Sequence, residues 1–137
     1  MREQPRKYLF VCNTNFTRSK MAAEVFTELL KSAGYSVGRF EDRQGYDFYL
    51  SSAGIKVDRY SSIRVKQFDI SLRDFSDIIF AMDETVRASL MCNYFVPPKK
   101  IVDIFVHYDP ASDHEGEEHS FREDLKSRLE RYVPKKK

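Results

Sequence analysis

A short apolar run followed by a helical pattern constrains this chain more than any other feature. The run Tyr8–Val11 is continuous and rich in strand formers, which is typical of a strand buried on both faces in a parallel sheet. After a polar segment, apolar side chains recur every four residues from Met21 to Leu29, which predicts an amphipathic helix over 18–33 that Gly34 ends. A strand, a short loop and a helix in this order start a βα unit.

The same alternation continues along the chain. Further strands are predicted over 47–51, 78–82 and 101–104, and further helices over 66–75, 83–93 and 120–132. The pattern predicts an α/β fold, a three-layer sandwich in which helices flank a four-stranded parallel sheet. Asp83 is a candidate helix cap, and Ser120 and Glu123 have the spacing of a capping box, with the polar stretch 109–118 before them as a loop.

Length and charge exclude several classes of protein. With 137 residues, we expect one domain over 1–137. The 23 basic and 21 acidic residues give a net charge of +2, which argues against a nucleic-acid partner. No apolar stretch approaches the roughly 18 residues of a membrane span. Two cysteines, Cys12 and Cys92, cannot form a disulfide framework, so we expect a reducing, cytoplasmic location.

The segment 12–19 (CNTNFTRS) is the candidate chemical site. Cys12 and Arg18 have five residues between them and lie where the first strand meets the first helix, the end of a parallel strand at which ligands bind. A loop of this kind can direct backbone N–H groups inward, and such a nest at a helix N-terminus binds a tetrahedral dianion and favours a thiolate. The phosphate-binding residues would be Asn13, Thr14, Asn15, Phe16, Thr17 and Arg18.

Individual side chains suit this phosphate loop. Arg18 offers a planar pair of donors to two phosphate oxygens, and Ser19 can donate a hydrogen bond to the sulfur of Cys12. Asn15 is the loop residue that best tolerates a left-handed backbone. The alternative interpretation is that Cys12 is a small buried apolar residue at a strand end and Arg18 an ordinary surface residue.

Four residues of the segment 12–19 match the pattern C-x-G-N-x-C-R-S, namely Cys12, Asn15, Arg18 and Ser19. This is the pattern of the phosphate loop in low-molecular-weight protein tyrosine phosphatases, which the segment resembles. Further segments resemble that family in the same order along the chain. They are the helix 21–26, Ser-Ala-Gly at 52–54, the strand and helix cap at 77–83, and Asp-Pro at 109–110. These matches span about Tyr8 to Pro110, and the departures from the family pattern fit a shorter, prokaryotic-type branch better than the eukaryotic form.

Several positions depart from the family pattern. Thr14 replaces the loop glycine, and Lys20 replaces the proline after the serine. Thr17 replaces a second loop cysteine, so a disulfide that protects the nucleophile cannot form. The segment between Gly54 and Asp77, which builds a wall of the substrate cleft in typical members, is shortened. The substrate of this chain is therefore open.

The resemblance implies a two-step hydrolysis that needs no metal and no cofactor. Cys12 attacks phosphorus and forms a phosphocysteine, while Arg18 and the loop N–H groups hold the phosphate oxygens. Asp109 protonates the leaving oxygen and then activates water, with Asp113 as the second candidate for this acid. Asn15 and Ser52 bond to each other and hold the shape of the loop.

A metal site is the weaker interpretation of the polar residues around Asp109. His107, Asp109, Asp113 and His114 are close in sequence, but their spacing matches no ligand motif, and a solvated loop explains them better.

The sequence therefore predicts a phosphate monoester hydrolase, with phosphotyrosine as the foremost substrate. Its partners would be a phosphorylated protein or a small phosphate monoester, and the chain would be a monomer or a weak homodimer. Two alternatives stay open. One is arsenate reduction on the same fold, for which Cys92 is the one other thiol in the sequence. The other is an inactive module that binds phosphate or phosphoproteins, which Thr14 and the shortened wall would suit.

Overall fold

Five parallel strands form one sheet at the centre of the molecule. The computed structural model describes residues 6–13, 18–42, 45–55, 67–104 and 115–134, with the side chains of the last segment described from residue 121 onward. The strands, β1 to β5 in chain order, are Arg6–Cys12, Val37–Arg39, Phe48–Gly54, Ile78–Ala81 and Ile101–Asp103. Their order across the sheet is β2-β3-β1-β4-β5, which makes β1 the central strand.

Helices cover both faces of this sheet. The α-helices, α1 to α4, are Arg18–Ser32, Ile70–Phe75, Glu84–Asn93 and Glu115–Leu129, and short 3₁₀ turns occupy Pro98–Lys100 and Glu130–Tyr132. The predicted three-layer α/β sandwich is confirmed. None of the described helices is long and apolar enough to cross a lipid bilayer.

The alternation of side chains along β1 decides where its last residue points. Leu9 and Val11 pack with the layer that contains α3, whereas Tyr8, Phe10 and Cys12 pack with the layer that contains α1 and α4. Successive residues of a strand face opposite sides of a sheet, so Cys12 must share the face of Phe10. The nucleophile candidate therefore lies on the same face as the helix that follows it.

The central position of β1 follows from its apolar sequence. Residues 9–11 are fully buried, since β3 and β4 pair with the two edges of β1 and helices pack on both of its faces. Such a strand has no solvent-facing side, which is what the continuous run Tyr8–Val11 predicts. The predicted first helix is also confirmed, since α1 spans Arg18–Ser32 and Gly34 follows with a left-handed φ of 93°.

The prediction of four strands was short by one. The additional strand, β2, has three residues, includes Gly38, and pairs with β3 at the edge of the sheet. A run this short, with a glycine in its centre, has neither the apolar continuity nor the alternation that identifies strands in a sequence.

Two predicted helix starts were wrong. The second helix begins at Ile70 and not near residue 66, because Gln67 pairs with Gly54 and Asp69 caps the helix through a bond from the backbone N–H of Leu72. The last helix begins at Glu115, so Ser120 lies inside it and not at its start, and residues 115–118 are helical where a loop was predicted. Its first turns contain no large apolar residue before position 121, so the periodic pattern starts too late to locate its beginning.

Phe95 has a backbone conformation that usually belongs to glycine. It follows α3 with a φ of 55°, while the N–H of Val96 bonds to the carbonyl of Leu90 and closes the end of the helix. The ring is 76% exposed, so burial offsets little of the steric cost of a Cβ in this region.

We expect Phe95→Gly to raise the free energy of unfolding by about 1 kcal/mol, since it removes the steric cost at this φ. Urea unfolding followed by circular dichroism measures the change. Phe95→Ala is the matched control, because it removes the ring but keeps the Cβ. Equal stability of the glycine and alanine variants would contradict the strain interpretation.

Candidate active site

Cys12 ends the central strand and is paired with β3 on one side, while β4 bonds to the residue before it. Its carbonyl accepts a hydrogen bond from the N–H of Ile55 at 2.9 Å, and the carbonyl of Val11 accepts one from Met82 at 3.0 Å. The bonds on the β3 side therefore extend to the last residue of β1, and those on the β4 side extend to the residue before it. Because Cys12 is 2% exposed, its side chain has little freedom and points into the α1 layer.

A buried hydroxyl lies against the sulfur of Cys12. Ser19 is the second residue of α1 and is fully buried, and its Oγ is 3.0 Å from Sγ of Cys12. Either atom can be the donor in the thiol form, but in the thiolate form only the hydroxyl has a proton to donate. The contact therefore offers a hydrogen bond to a negatively charged sulfur within an otherwise apolar layer.

Arg18 is the first residue of α1 and forms an ion pair with Asp83. Nη2 of Arg18 lies 3.0 Å from Oδ2 of Asp83, and the two side chains are 25% and 28% exposed. The other carboxylate oxygen, Oδ1, accepts a bond from the N–H of Val86 at 2.8 Å and caps α3. Sequence reasoning identified the cap at Asp83 but gave no signal for its contact with Arg18.

The first turn of α1 is electropositive. It holds Arg18 and Lys20 and no acidic residue. The N-terminus of a helix carries a partial positive charge that prefers anions, so two cations there are poorly placed unless a negative group balances them. Asp83 supplies part of that balance, and a bound oxyanion would supply more.

Several predicted site residues lie in or beside the described region. Asn13 follows Cys12 and is half-buried, and Ser52 lies in β3 opposite Phe10. The remaining loop residues Thr14, Asn15, Phe16 and Thr17 lie outside the described residues, as do Asp109, Asp113, His107 and His114. The predicted contact between Asn15 and Ser52 and the choice between Asp109 and Asp113 therefore stay predictions.

Cys92 belongs to a helix on the opposite side of the sheet from the sulfur of Cys12. It is exposed and stands next to the end of α3, whereas Asp83 precedes the first residue of the same helix and contacts Arg18. Cys92 is nine positions after Asp83, which corresponds to about 13 Å along the axis of an α-helix. A direct disulfide between the two cysteines would need a large rearrangement of α3.

The fold and these contacts define a class of protein: a parallel α/β sandwich with a cysteine, a serine and an arginine at its first strand–helix junction. The family model described as low molecular weight phosphotyrosine protein phosphatase matches residues 7–120, and the chain belongs to that family. The predicted family is thereby confirmed, and membership identifies the protein as a cysteine-dependent phosphatase.

Solved structures of similar fold include several phosphatases. A YwlE mutant from Bacillus subtilis has a TM-score of 0.74 at 16% identity, covering 93% of this chain and 96% of its own. A low molecular weight protein tyrosine phosphatase from T. tengcongensis has a TM-score of 0.74 at 21% identity, with coverage of 93% and 97%. The tyrosine phosphatase Wzb from Escherichia coli K30, in complex with sulphate, has a TM-score of 0.65 at 15% identity, with coverage of 95% and 97%. Comparison with curated protein sequences gave no match.

Proposed function

We propose that the protein hydrolyses phosphate monoesters, phosphotyrosine first among them, through a phosphate bound covalently to Cys12. The observation that carries the proposal is the 3.0 Å contact between the sulfur of Cys12 and the fully buried hydroxyl of Ser19. An inert buried cysteine needs no hydrogen-bond donor, whereas a thiolate that attacks and later departs is stabilised by one.

The first step transfers the phosphoryl group to the protein. The thiolate of Cys12 attacks phosphorus from the side opposite the leaving oxygen, so that an S–P bond forms while the P–O bond breaks. The guanidinium of Arg18 holds two phosphate oxygens as their charge shifts. The proton that the leaving oxygen needs comes from Asp109, which the family resemblance assigns to this role.

The second step regenerates the thiolate. The carboxylate of Asp109 takes a proton from water as the water attacks phosphorus, and the S–P bond breaks with its electron pair returning to sulfur. The hydroxyl of Ser19 then donates to the sulfur as it becomes an anion. The same contact thus serves the nucleophile of the first step and the leaving group of the second.

The phosphatases of similar structure differ in the residue from which they remove phosphate, and therefore in the leaving group. Some are described as tyrosine phosphatases, from T. tengcongensis and Streptococcus pyogenes, and others as arginine phosphatases, among them YwlE from Geobacillus stearothermophilus. Phosphoarginine, with a P–N bond, is therefore the second candidate substrate for this chain.

A substrate panel with a covalent trap tests the proposal. We expect turnover of p-nitrophenyl phosphate, a higher kcat/KM for a phosphotyrosine peptide than for matched phosphoserine and phosphoarginine peptides, and one phosphoryl group on the peptide containing Cys12 after an acid quench. A higher kcat/KM for the phosphoarginine peptide would mean that phosphoarginine, and not phosphotyrosine, is the substrate, while the covalent mechanism would stand. Oxyanion binding with no turnover and no trapped phosphocysteine would instead support an inactive phosphate-binding module.

A further inference from the structure

We propose that Asp83 is a positioning residue that sets the orientation of the Arg18 guanidinium for phosphate binding. This role rests on the proposed function, because the guanidinium matters only if Arg18 binds the phosphate. The observation behind it is that the two carboxylate oxygens of Asp83 bond to different partners. Oδ1 of Asp83 accepts from the N–H of Val86, and Oδ2 accepts from Nη2 of Arg18.

A second aspartate in the chain shows what helix capping alone requires. Asp69 caps α2 through one oxygen that accepts from the N–H of Leu72 at 2.9 Å, with an extended backbone like that of Asp83. Asp69 is exposed, and the described part of the chain places no arginine against its side chain. A cap therefore needs only one oxygen, and the contact of Asp83 with Arg18 is an additional feature of this site.

The backbone fixes Asp83 relative to the nucleophile. Asp83 directly follows Met82, whose N–H bonds to the carbonyl of Val11, the residue before Cys12. The cap on α3 fixes the carboxylate from its other side. The distance from the sulfur to the carboxylate is thus set by the sheet and does not depend on the loop 14–17.

The ion pair is compatible with phosphate binding by the same arginine. A guanidinium has five N–H groups along its planar edges, and a phosphate takes two of them from one edge. Asp83 occupies Nη2 on one side and leaves a second edge for two phosphate oxygens. Without that contact, a partly exposed arginine samples several rotamers, and binding the phosphate has to restrict them.

Asp83→Asn tests this role, since the asparagine oxygen can still accept the cap bond from Val86 while the charged contact with Arg18 is lost. We expect kcat for p-nitrophenyl phosphate to fall about 10-fold or more and the inhibition constant of inorganic phosphate to rise by a similar factor. Two variants are matched controls. Asp69→Asn alters a helix cap that contacts no arginine among the described residues. Asp103→Asn removes the carboxylate that pairs with Arg87, another arginine at the carboxyl ends of the strands. Both should keep wild-type kcat.

A double-mutant cycle separates positioning from stability. In an Arg18→Ala background, Asp83→Asn should lower kcat and phosphate affinity no further, because the group that it orients is absent. The proposal is overturned if Asp83→Asn loses no more activity than Asp69→Asn, or if it has the same effect with and without Arg18. If the wild type turned over no phosphate ester, the proposed function would fail, and calorimetric titration with phosphate would still decide whether Asp83 orients Arg18.

Discussion

Replacing Cys12 with serine is expected to lower kcat/KM for p-nitrophenyl phosphate at least about 1,000-fold. A serine hydroxyl is not ionised near neutral pH, so it is a poor nucleophile, and its alkoxide is a poor leaving group in the second step. The substitution barely changes volume at a position that is 2% exposed, so the fold should be retained. Steady-state assays, with circular dichroism to verify folding, measure the effect.

Cys92→Ser is the matched control for this experiment. Cys92 is exposed beside the end of α3, about 13 Å along that helix from the residue that contacts Arg18. We expect full phosphatase activity from this variant. Wild-type activity in Cys12→Ser would refute the covalent mechanism, whereas thioredoxin-coupled turnover of arsenate that disappears in Cys92→Ser would support arsenate reduction instead.

The strand–helix junction could be predicted because its signals are local. The apolar run Tyr8–Val11 identifies a strand buried on both faces, and the four-residue period from Met21 to Leu29 identifies the helix. Once these are accepted, the two-residue period of the strand places Cys12 on the face of Phe10. The contact between Cys12 and Ser19 then follows from the small number of residues between the two elements in the sequence.

The ion pair between Arg18 and Asp83 could not be predicted in the same way. The residues are 65 positions apart, and they meet because β4 pairs with β1 so that Ala81 lies opposite Val11. A change of one residue in this register would turn the side chains of β4 to the opposite faces. The sequence shows Asp83 as a helix cap, but the register of the sheet decides that the cap also contacts the arginine.

Two parts of the fold that the sequence analysis missed have weak sequence patterns, and both do so for one physical reason. The strand β2 has three residues, and the first turns of α4 contain no large apolar side chain before Phe121. Both are stabilised by attachment to a neighbour, β2 along the edge of β3 and the start of α4 by the buried turns that follow it. Local pattern cannot identify an element whose stability comes from its continuation or its partner.

Arg18→Lys is expected to lower kcat/KM about 100-fold or more, although it retains the positive charge. Lysine has a single ammonium group and cannot present two parallel N–H donors to a phosphate while a third donor contacts Asp83. We expect Arg18→Ala to lose at least as much. Titration with inorganic phosphate, together with steady-state assays, measures both losses.

The matched control is Arg87→Lys. Arg87 bonds to Asp103 at 2.8 Å, and its side chain is partly exposed like that of Arg18, so the substitution repeats the chemical change at an ion pair that does not include Arg18 or Asp83. We expect Arg87→Lys to keep wild-type kcat/KM. Near-normal activity in Arg18→Lys would mean that the site needs only a positive charge at this position, and the oriented guanidinium, with the positioning role of Asp83, would then be wrong.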